Sequence, residues 1–206
     1  ARAKKLGAKI VRVLLEQDYV SGLFVDTDRL GAAPGALSLK DIGLSGSAVT
    51  PTPVIVVNFS SFSTGCDKPA LCTATVADTP LQQGQGMHGS FARSDIWSFM
   101  AAHGPDFRKG YVSNMPASNA DIGMTVAHLL RLDLPPLATT PKGKLQGRVL
   151  EESLIGGKEI AVTRRTLSSK PAAKGLKTLL GQQSVGTSVY YDVAGFAGRT
   201  VGLEAK

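Results

Sequence analysis

The distribution of apolar and polar positions predicts a helix and then a strand at the start of the chain. Residues 1–17 fit an amphipathic helix, because apolar residues recur on one helical face and most basic residues lie off it. We expect this apolar face to meet the core, and it contains Leu6, Ile10, Val13 and Leu14. Residues 19–25 form a short run with aromatic and β-branched side chains, which favours a strand. A helix followed by a strand is typical of α/β proteins.

The next apolar runs predict two buried strands. Residues 54–59 (VIVVNF) are nearly continuous in β-branched side chains, as in a central strand that is covered on both faces. Residues 96–102 (IWSFMAA) form a second apolar run of strand length, which Gly104 and Pro105 end. Residues 37–44 fit either a strand or a helix.

The last part of the chain predicts one capped helix and a β-rich end. Ser118 and Asp121 precede apolar residues at helical spacing, so we expect a helix to begin here and Asp121 to cap it rather than to act in catalysis. Residues 148–154 fit a short helix. Three later runs predict strands: residues 158–167, 176–182 and 188–193. We therefore divide the chain into residues 1–157 and a β-rich appendage, residues 158–206.

A glycine-rich loop contains the strongest candidate for a functional side chain. Gly84, Gly86 and Gly89 bracket His88, keep bulk away from it and allow backbone to approach a ligand closely. GQGMHG fits three interpretations: a dinucleotide-binding G-x-G-x-x-G motif, a plain loop with a surface histidine, or a loop that presents a metal ligand. The dinucleotide motif needs a preceding strand and a helix that opens at the last glycine, and the sequence predicts neither.

Three segments in fixed order carry a resemblance to a known family. They are GMHGSFARSDIWSFMAAHGPDFRKGYV, SNADIGMTVAHLL and KGKLQGRVL, within residues 86–150. The chain resembles the C-terminal part of the alkaline phosphatase superfamily, in its type I phosphodiesterase/nucleotide pyrophosphatase branch and especially its bacterial members. The likeness extends over roughly residues 1–155. It departs at His103, where the family has an apolar residue, and at Met124, where a proline is common; neither position is a ligand in the family.

The resemblance implies a fold and an activity. The fold is α/β, with this chain as the C-terminal part of an alkaline-phosphatase-like sheet flanked by helices. The activity is metal-dependent hydrolysis of phosphodiester or nucleotide pyrophosphate bonds at a two-zinc site, with a small phosphate ester or nucleotide as substrate. His88 matches the histidine of the G-x-H-G motif, which is a zinc ligand in the family. The family's nucleophilic Thr or Ser and its other ligands correspond to sequence N-terminal to this chain, so we expect the complete protein to be a hydrolase and these 206 residues alone to be inactive.

The two cysteines bear on the compartment. Cys66 and Cys72 are too few for a structural zinc site, which takes four ligands. A local disulfide is one interpretation, and it favours a periplasmic or secreted protein. The alternative is a pair of free thiols in a reducing cytosol.

Charge is unevenly distributed and suggests an alternative function. Residues 104–206 carry 14 basic and 8 acidic side chains, whereas residues 1–103 carry 9 and 8. A basic half can attract anions, so the alternative is a non-catalytic module that binds anionic partners through its C-terminal half. Aromatic side chains are absent from residues 158–177, so we expect no specific nucleic-acid partner. The sequence predicts no membrane span, and it is silent on oligomeric state.

Other candidate sites have simpler explanations. Asp26 and Asp28 lack the glycine and late glutamate of an EF-hand loop, so a polar turn is the better interpretation. His128 lies in the helix after Ser118, and a lone helical histidine favours packing or a surface position. A triad of His88, Ser90 and Asp95 is disfavoured, because triad members converge from distant parts of a chain.

Overall fold

The structure is a computed structural model. It describes residues 2–44, 53–68, 72–76, 88–132 and 146–203, the single residues 80, 82 and 85, and the backbone of residues 139–140 and 143–144.

The chain contains both helices and strands, which confirms the coarse α/β class. The helices are α1 (Arg2–Leu15), α2 (Thr27–Leu30), α3 (Arg93–Ile96) and α4 (Asn119–Leu129). The strands are β1 (Val20–Val25), β2 (Ala36–Ser38), β3 (Ile55–Phe59), β4 (Ser61–Ser63), β5 (Thr73–Thr75), β6 (Thr139–Thr140), β7 (Gly143–Lys144), β8 (Val162–Ser168), β9 (Thr178–Val185) and β10 (Ser188–Phe196). Single 3-10 turns cover Leu39–Ile42 and Glu151–Ser153.

The first sheet has the order β2-β1-β3, with β1 in the centre. β1 runs parallel to β2 and antiparallel to β3, with Leu23 opposite both Ala36 and Val57. Every residue of β1 is buried, whereas Asn58 alone is buried in β3. The strand predicted over residues 54–59 is therefore present, but its predicted central position is wrong. Its β-branched run forms an edge strand that is half covered, and the run VSGLFV occupies the centre of the sheet.

The second sheet is an antiparallel meander of β8, β9 and β10, which confirms the three strands predicted in the last part of the chain. It shares a core with the first sheet: Phe24 of β1 packs with Leu180 of β9 and Ala194 of β10. The division at residue 157 stays a prediction, but these contacts mean that residues 158–206 do not pack as a separate appendage.

The sheets cross where two glycines face each other. Gly22 (φ +120°) and Gly195 (φ +152°) occupy conformations that L side chains rarely adopt. A Cβ on Gly195 would lie 2.8 Å from the carbonyl oxygen of Ser21, and a Cβ on Gly22 would lie 3.1 Å from the Cα of Gly195. Glycine is therefore required for the backbones of β1 and β10 to approach this closely.

Helix α1 is present as predicted, but it packs through a different face. Gly7 and Val11 are buried, whereas Leu6, Ile10 and Val13 are 56%, 41% and 46% exposed. The reason is Gly7, because a Cβ there would lie 2.6 Å from a methyl carbon of Leu30 in α2. The helix approaches its neighbour through its smallest residue, and a count of large apolar residues does not detect such a contact.

The buried strand predicted over residues 96–102 is wrong. Residues 93–96 form α3, and residues 97–103 are irregular and exposed; Phe99 is 94% exposed. An apolar run becomes a buried strand only where another layer covers it, and the described residues supply no such layer here.

The predicted helix after Ser118 is confirmed with its cap. Ser118 and Asp121 form a capping box at the start of α4. The short helix predicted over residues 148–154 is reduced to the single turn Glu151–Ser153. Within the described part of the chain, no helix is long and apolar enough to cross a bilayer.

Candidate functional site

His88 is exposed at the end of the glycine-rich loop. Within the described residues its imidazole has no hydrogen bond and no ion pair. Gly89 next to it has φ +100° with open space around it. Gly84 and Gly86, which the sequence places on the other side of His88, lie outside the described residues.

The chain after His88 is fixed to the core within three residues. The Ser90 amide donates to the Asp95 carboxylate at 3.1 Å, and the Phe91 amide donates to the Asn58 side-chain oxygen at 3.0 Å. The Phe91 carbonyl in turn accepts from the Ala194 amide of β10. Asp95 therefore holds the loop that follows His88 and does not form a catalytic triad with it.

Asn58 is the residue that joins this loop to both sheets. Its side-chain nitrogen donates to the carbonyl oxygens of Ser21 in β1 and Ala194 in β10, both at 2.9 Å. Its side-chain oxygen accepts from Phe91, so three separate segments meet on one buried amide. A polar residue inside the apolar run VIVVNF was the available signal, since a buried amide must find hydrogen-bond partners.

The Phe91 ring adds an apolar anchor. Its centroid lies 5.2 Å from that of Phe24 and 5.9 Å from that of Tyr191, the second in an edge-to-face arrangement. Aromatic pairs at these distances contribute beyond the area they bury. His88 is thus exposed on a segment whose far end is held by hydrogen bonds and aromatic packing.

A charged cluster fixes α3 against β10. Asp192, at an irregularity in β10, accepts hydrogen bonds from the Arg93 guanidinium at 3.1 Å and from the Trp97 indole at 3.0 Å. The Arg93 guanidinium also lies 5.2 Å from the Trp97 ring centroid. No local sequence pattern indicates this cluster, because Asp192 lies 95 or more residues from Arg93 and Trp97.

Behind α4 lies a buried polar network that the sequence analysis also missed. Arg148 donates to both carboxylate oxygens of Glu152 at 2.7 Å and to the Tyr190 hydroxyl at 2.9 Å. Asp121 accepts from the amides of Ser118 and Arg148 and from the Tyr190 hydroxyl. Asp121 therefore caps the helix, as predicted, and also ties α4 to β10.

The network shifts the pKa values of its members. Hydrogen bonds to Glu152 raise the pKa of Arg148 above its ordinary value. Burial is the largest single influence and raises the pKa of Glu152, but the hydrogen bonds from Arg148, a backbone hydrogen bond and the charge of Arg148 together outweigh it, so the pKa is lowered. Burial, and then the charge of Asp121, raise the pKa of Tyr190. Arg148, Glu152 and Tyr190 therefore keep their ordinary charge at neutral pH, and their role is structural.

The remaining candidates are separate from His88. Among the described residues, no group of three or more His, Cys, Asp and Glu side chains is arranged to hold a metal ion. His103 and His128 are exposed on other segments. Asp26 caps α2, and Asp28 pairs with Lys40 at 2.8 Å, so these two aspartates form a polar turn as expected.

Cys66 and Cys72 form a disulfide in the structure. It closes the loop between β4 and β5, where the Cys72 carbonyl also accepts from the Thr64 amide and hydroxyl. β5 lies against α3, so this hairpin borders the segment that follows His88.

Comparisons with family models, with curated proteins and with solved structures found no match to this chain.

We predict that Asn58→Leu loosens the junction between the sheets and the His88 loop. The substitution keeps the side-chain size but leaves the Phe91 amide and the Ser21 carbonyl without this partner, at a cost of about 2 kcal/mol in the free energy of unfolding. Urea unfolding measures the loss, and hydrogen exchange at Phe91 and Ala194 localises it. Asn114→Leu, at an exposed position, is the matched control. Unchanged exchange at Phe91 in the Asn58 variant would contradict the assignment.

A second prediction concerns the buried ion pair. Because the pKa of Glu152 is lowered in the folded state, the pair stabilises the fold above the unfolded-state pKa of about 4.3, and this stability is lost as pH falls through the folded-state pKa. Glu152→Gln leaves Arg148 without its carboxylate and should destabilise by about 3 kcal/mol at pH 7. The difference in the free energy of unfolding between wild type and the Glu152 variant, measured by urea unfolding, should decrease towards pH 3. Glu151→Gln, at the exposed neighbouring position, should have little effect on stability at any pH. A difference in stability between wild type and Glu152→Gln that does not depend on pH would refute the prediction.

Proposed function

We propose that the complete protein hydrolyses phosphodiester or nucleotide pyrophosphate bonds in a metal-dependent reaction, and that this segment contributes His88 as one zinc ligand. The observation that carries the proposal is an exposed imidazole that has no partner among the described residues, on a glycine-flanked segment that is anchored three residues later. The resemblance of the three sequence segments to the phosphodiesterase branch of the alkaline phosphatase superfamily supplies the reaction class. The mixed α/β architecture is compatible with an alkaline-phosphatase-like fold.

The donor chemistry of His88 fits this role. A neutral imidazole is a preferred zinc ligand, and catalytic zinc sites combine three protein ligands with one open position. When bound, a pair of zinc ions would activate the attacking group and stabilise charge on the attacking and leaving oxygens. His88 would hold and orient one ion through a ring nitrogen, while the anchor at Phe91 and Asn58 limits how far the loop can move.

One ligand does not define a metal site. The described residues contain no group of three candidate ligands, so the proposal requires the nucleophile and the other ligands to come from elsewhere in the complete protein. The exposed segment of residues 97–103 supports this requirement, because an apolar stretch with Trp97 and Phe99 on the surface is typical of a contact surface.

The disulfide supports a periplasmic or secreted location as part of the same proposal. Disulfides form and persist in oxidising compartments and are rare in the cytosol. The bond between Cys66 and Cys72 would then stabilise the hairpin beside α3 under working conditions.

The test compares the product of the full reading frame that encodes this chain with the 206 residues alone. With bis-p-nitrophenyl phosphate as substrate, we expect zinc-dependent turnover by the full product and none by the 206 residues. His88→Asn in the full product should lower turnover by at least about 100-fold, since loss of a ligand should exceed the effect of losing a group that supports one. His103→Asn is the matched control, because this histidine is also exposed but lies outside the G-x-H-G motif.

Three results would contradict the proposal: turnover by the 206 residues alone, turnover that resists chelators, or an His88 variant as active as wild type.

The alternative, a module that binds anions, is favoured by the edge strand β8. There Arg164 and Arg165 are exposed beside Gln183 at a shallow cavity of about 300 Å³. Salt-sensitive binding of polyphosphate that chelators do not affect would support that alternative.

A further inference from the structure

A groove in the surface lies between α1 and the turn at residues 172–176. Its volume is about 540 Å³, within the range of small-molecule sites. We call it the α1 groove. It is lined by Gly7, Ala8, Val11, Arg12, Leu15, Glu16, Leu30, Ala32, Ala33, Pro34, Ala172, Ala173, Lys174 and Leu176.

The walls of the α1 groove are apolar and set by close contacts. Gly7 brings α1 against Leu30, and a Cβ on Gly35 would lie 2.9 Å from both Leu15 and Ala172. Leu15, Leu30 and Leu176 are half-buried and pack on the core cluster around Phe196. Three of the fourteen lining residues have a charged or hydrogen-bonding side chain, so the interior suits a hydrocarbon and not a sugar or a base.

The charged side chains that line the α1 groove are two cations and one carboxylate. Arg12 and Lys174 are exposed, and neither has an ion-pair partner among the described residues. Lys174 also has φ +60°, an uncommon conformation for a residue other than glycine. Glu16 is the one acid among the lining residues. The potential at the groove is therefore positive.

We propose that the α1 groove binds a single-chain amphiphile with an anionic head, specifically a long-chain fatty acid. The hydrocarbon chain of the fatty acid lies on the leucine and alanine walls, and its carboxylate lies between Arg12 and Lys174. Burial of the chain supplies most of the affinity, and the two cations select the charged head over a neutral one. The inference rests on the groove alone and holds whether or not the complete protein is a phosphodiesterase.

The test uses 11-(dansylamino)undecanoate as a fluorescent probe, displaced by oleate or by oleyl alcohol below their aggregation limits. We expect probe binding to wild type, with oleate displacing the probe at a concentration at least about tenfold lower than oleyl alcohol, the factor expected for one charge-assisted contact. The double variant Arg12→Gln/Lys174→Asn should lose this preference and keep the binding of oleyl alcohol. Asn is used at position 174 because it tolerates a positive φ. Lys5→Gln/Lys9→Gln removes equal charge from α1 outside the groove lining and should behave as wild type.

A second pair of variants tests the location. Ala173→Trp and Ala8→Trp each fill the α1 groove from an exposed position, and either should reduce probe affinity at least about tenfold. Ala3→Trp, exposed on the same helix but outside the lining, should not. Urea unfolding verifies that each variant is folded.

Three outcomes would overturn the proposal: no displaceable binding, equal affinity in the filled and control variants, or equal displacement by oleate and oleyl alcohol. A wild type that is dimeric in solution, and that becomes monomeric in Ala173→Trp or Ala8→Trp but not in Ala3→Trp, would also overturn it, since a second copy of the chain would then occupy the groove.

Discussion

One buried amide joins both sheets to the segment that follows His88. Asn58 stands in an edge strand where its neighbours are aliphatic, and its three hydrogen bonds join β1, β10 and the segment after His88. The two sheets also meet through apolar packing, the close crossing of Gly22 and Gly195, and two further hydrogen bonds. In these bonds the Phe196 amide donates to the Ser21 hydroxyl and the Leu23 amide donates to the Thr178 hydroxyl, both at 3.0 Å. Apolar packing allows two sheets to slide against each other, whereas an amide with three fixed hydrogen-bond partners does not. The position of the exposed histidine relative to the core therefore follows from a hydrogen-bond requirement.

Local periodicity predicted most elements but not how they pack. The strands at residues 20–25 and 55–59, the capped helix after Ser118 and the β-rich end follow from the sequence. The central position in the first sheet did not, because it depends on which strand finds two neighbours, and β1 does. The packing face of α1 was missed for a similar reason: Gly7 permits a close approach that larger residues forbid, so the stripe of Leu6, Ile10 and Val13 was left outside.

Sequence patterns likewise predicted part of the candidate site but not the contacts that support it. His88 and its glycines could be identified from sequence, as could the capping role of Asp121. The support for the site could not, since Asn58 with Ala194 and Arg93 with Asp192 are pairs separated by about a hundred residues or more. The apolar run at residues 96–102 was misjudged because burial is a property of the whole assembly of layers, and among the described residues no layer covers it. Its exposure agrees with the contact surface that the proposed function requires.

The most direct measurement of the central claim is zinc coordination in the product of the full reading frame, by metal analysis combined with X-ray absorption at the zinc edge. The account predicts two zinc ions per chain, with an imidazole signature that decreases in His88→Asn together with the loss of bound metal, while His103→Asn retains both. An unchanged zinc content and spectrum in His88→Asn, or a wild-type protein without bound zinc after equilibration with the metal, would contradict it.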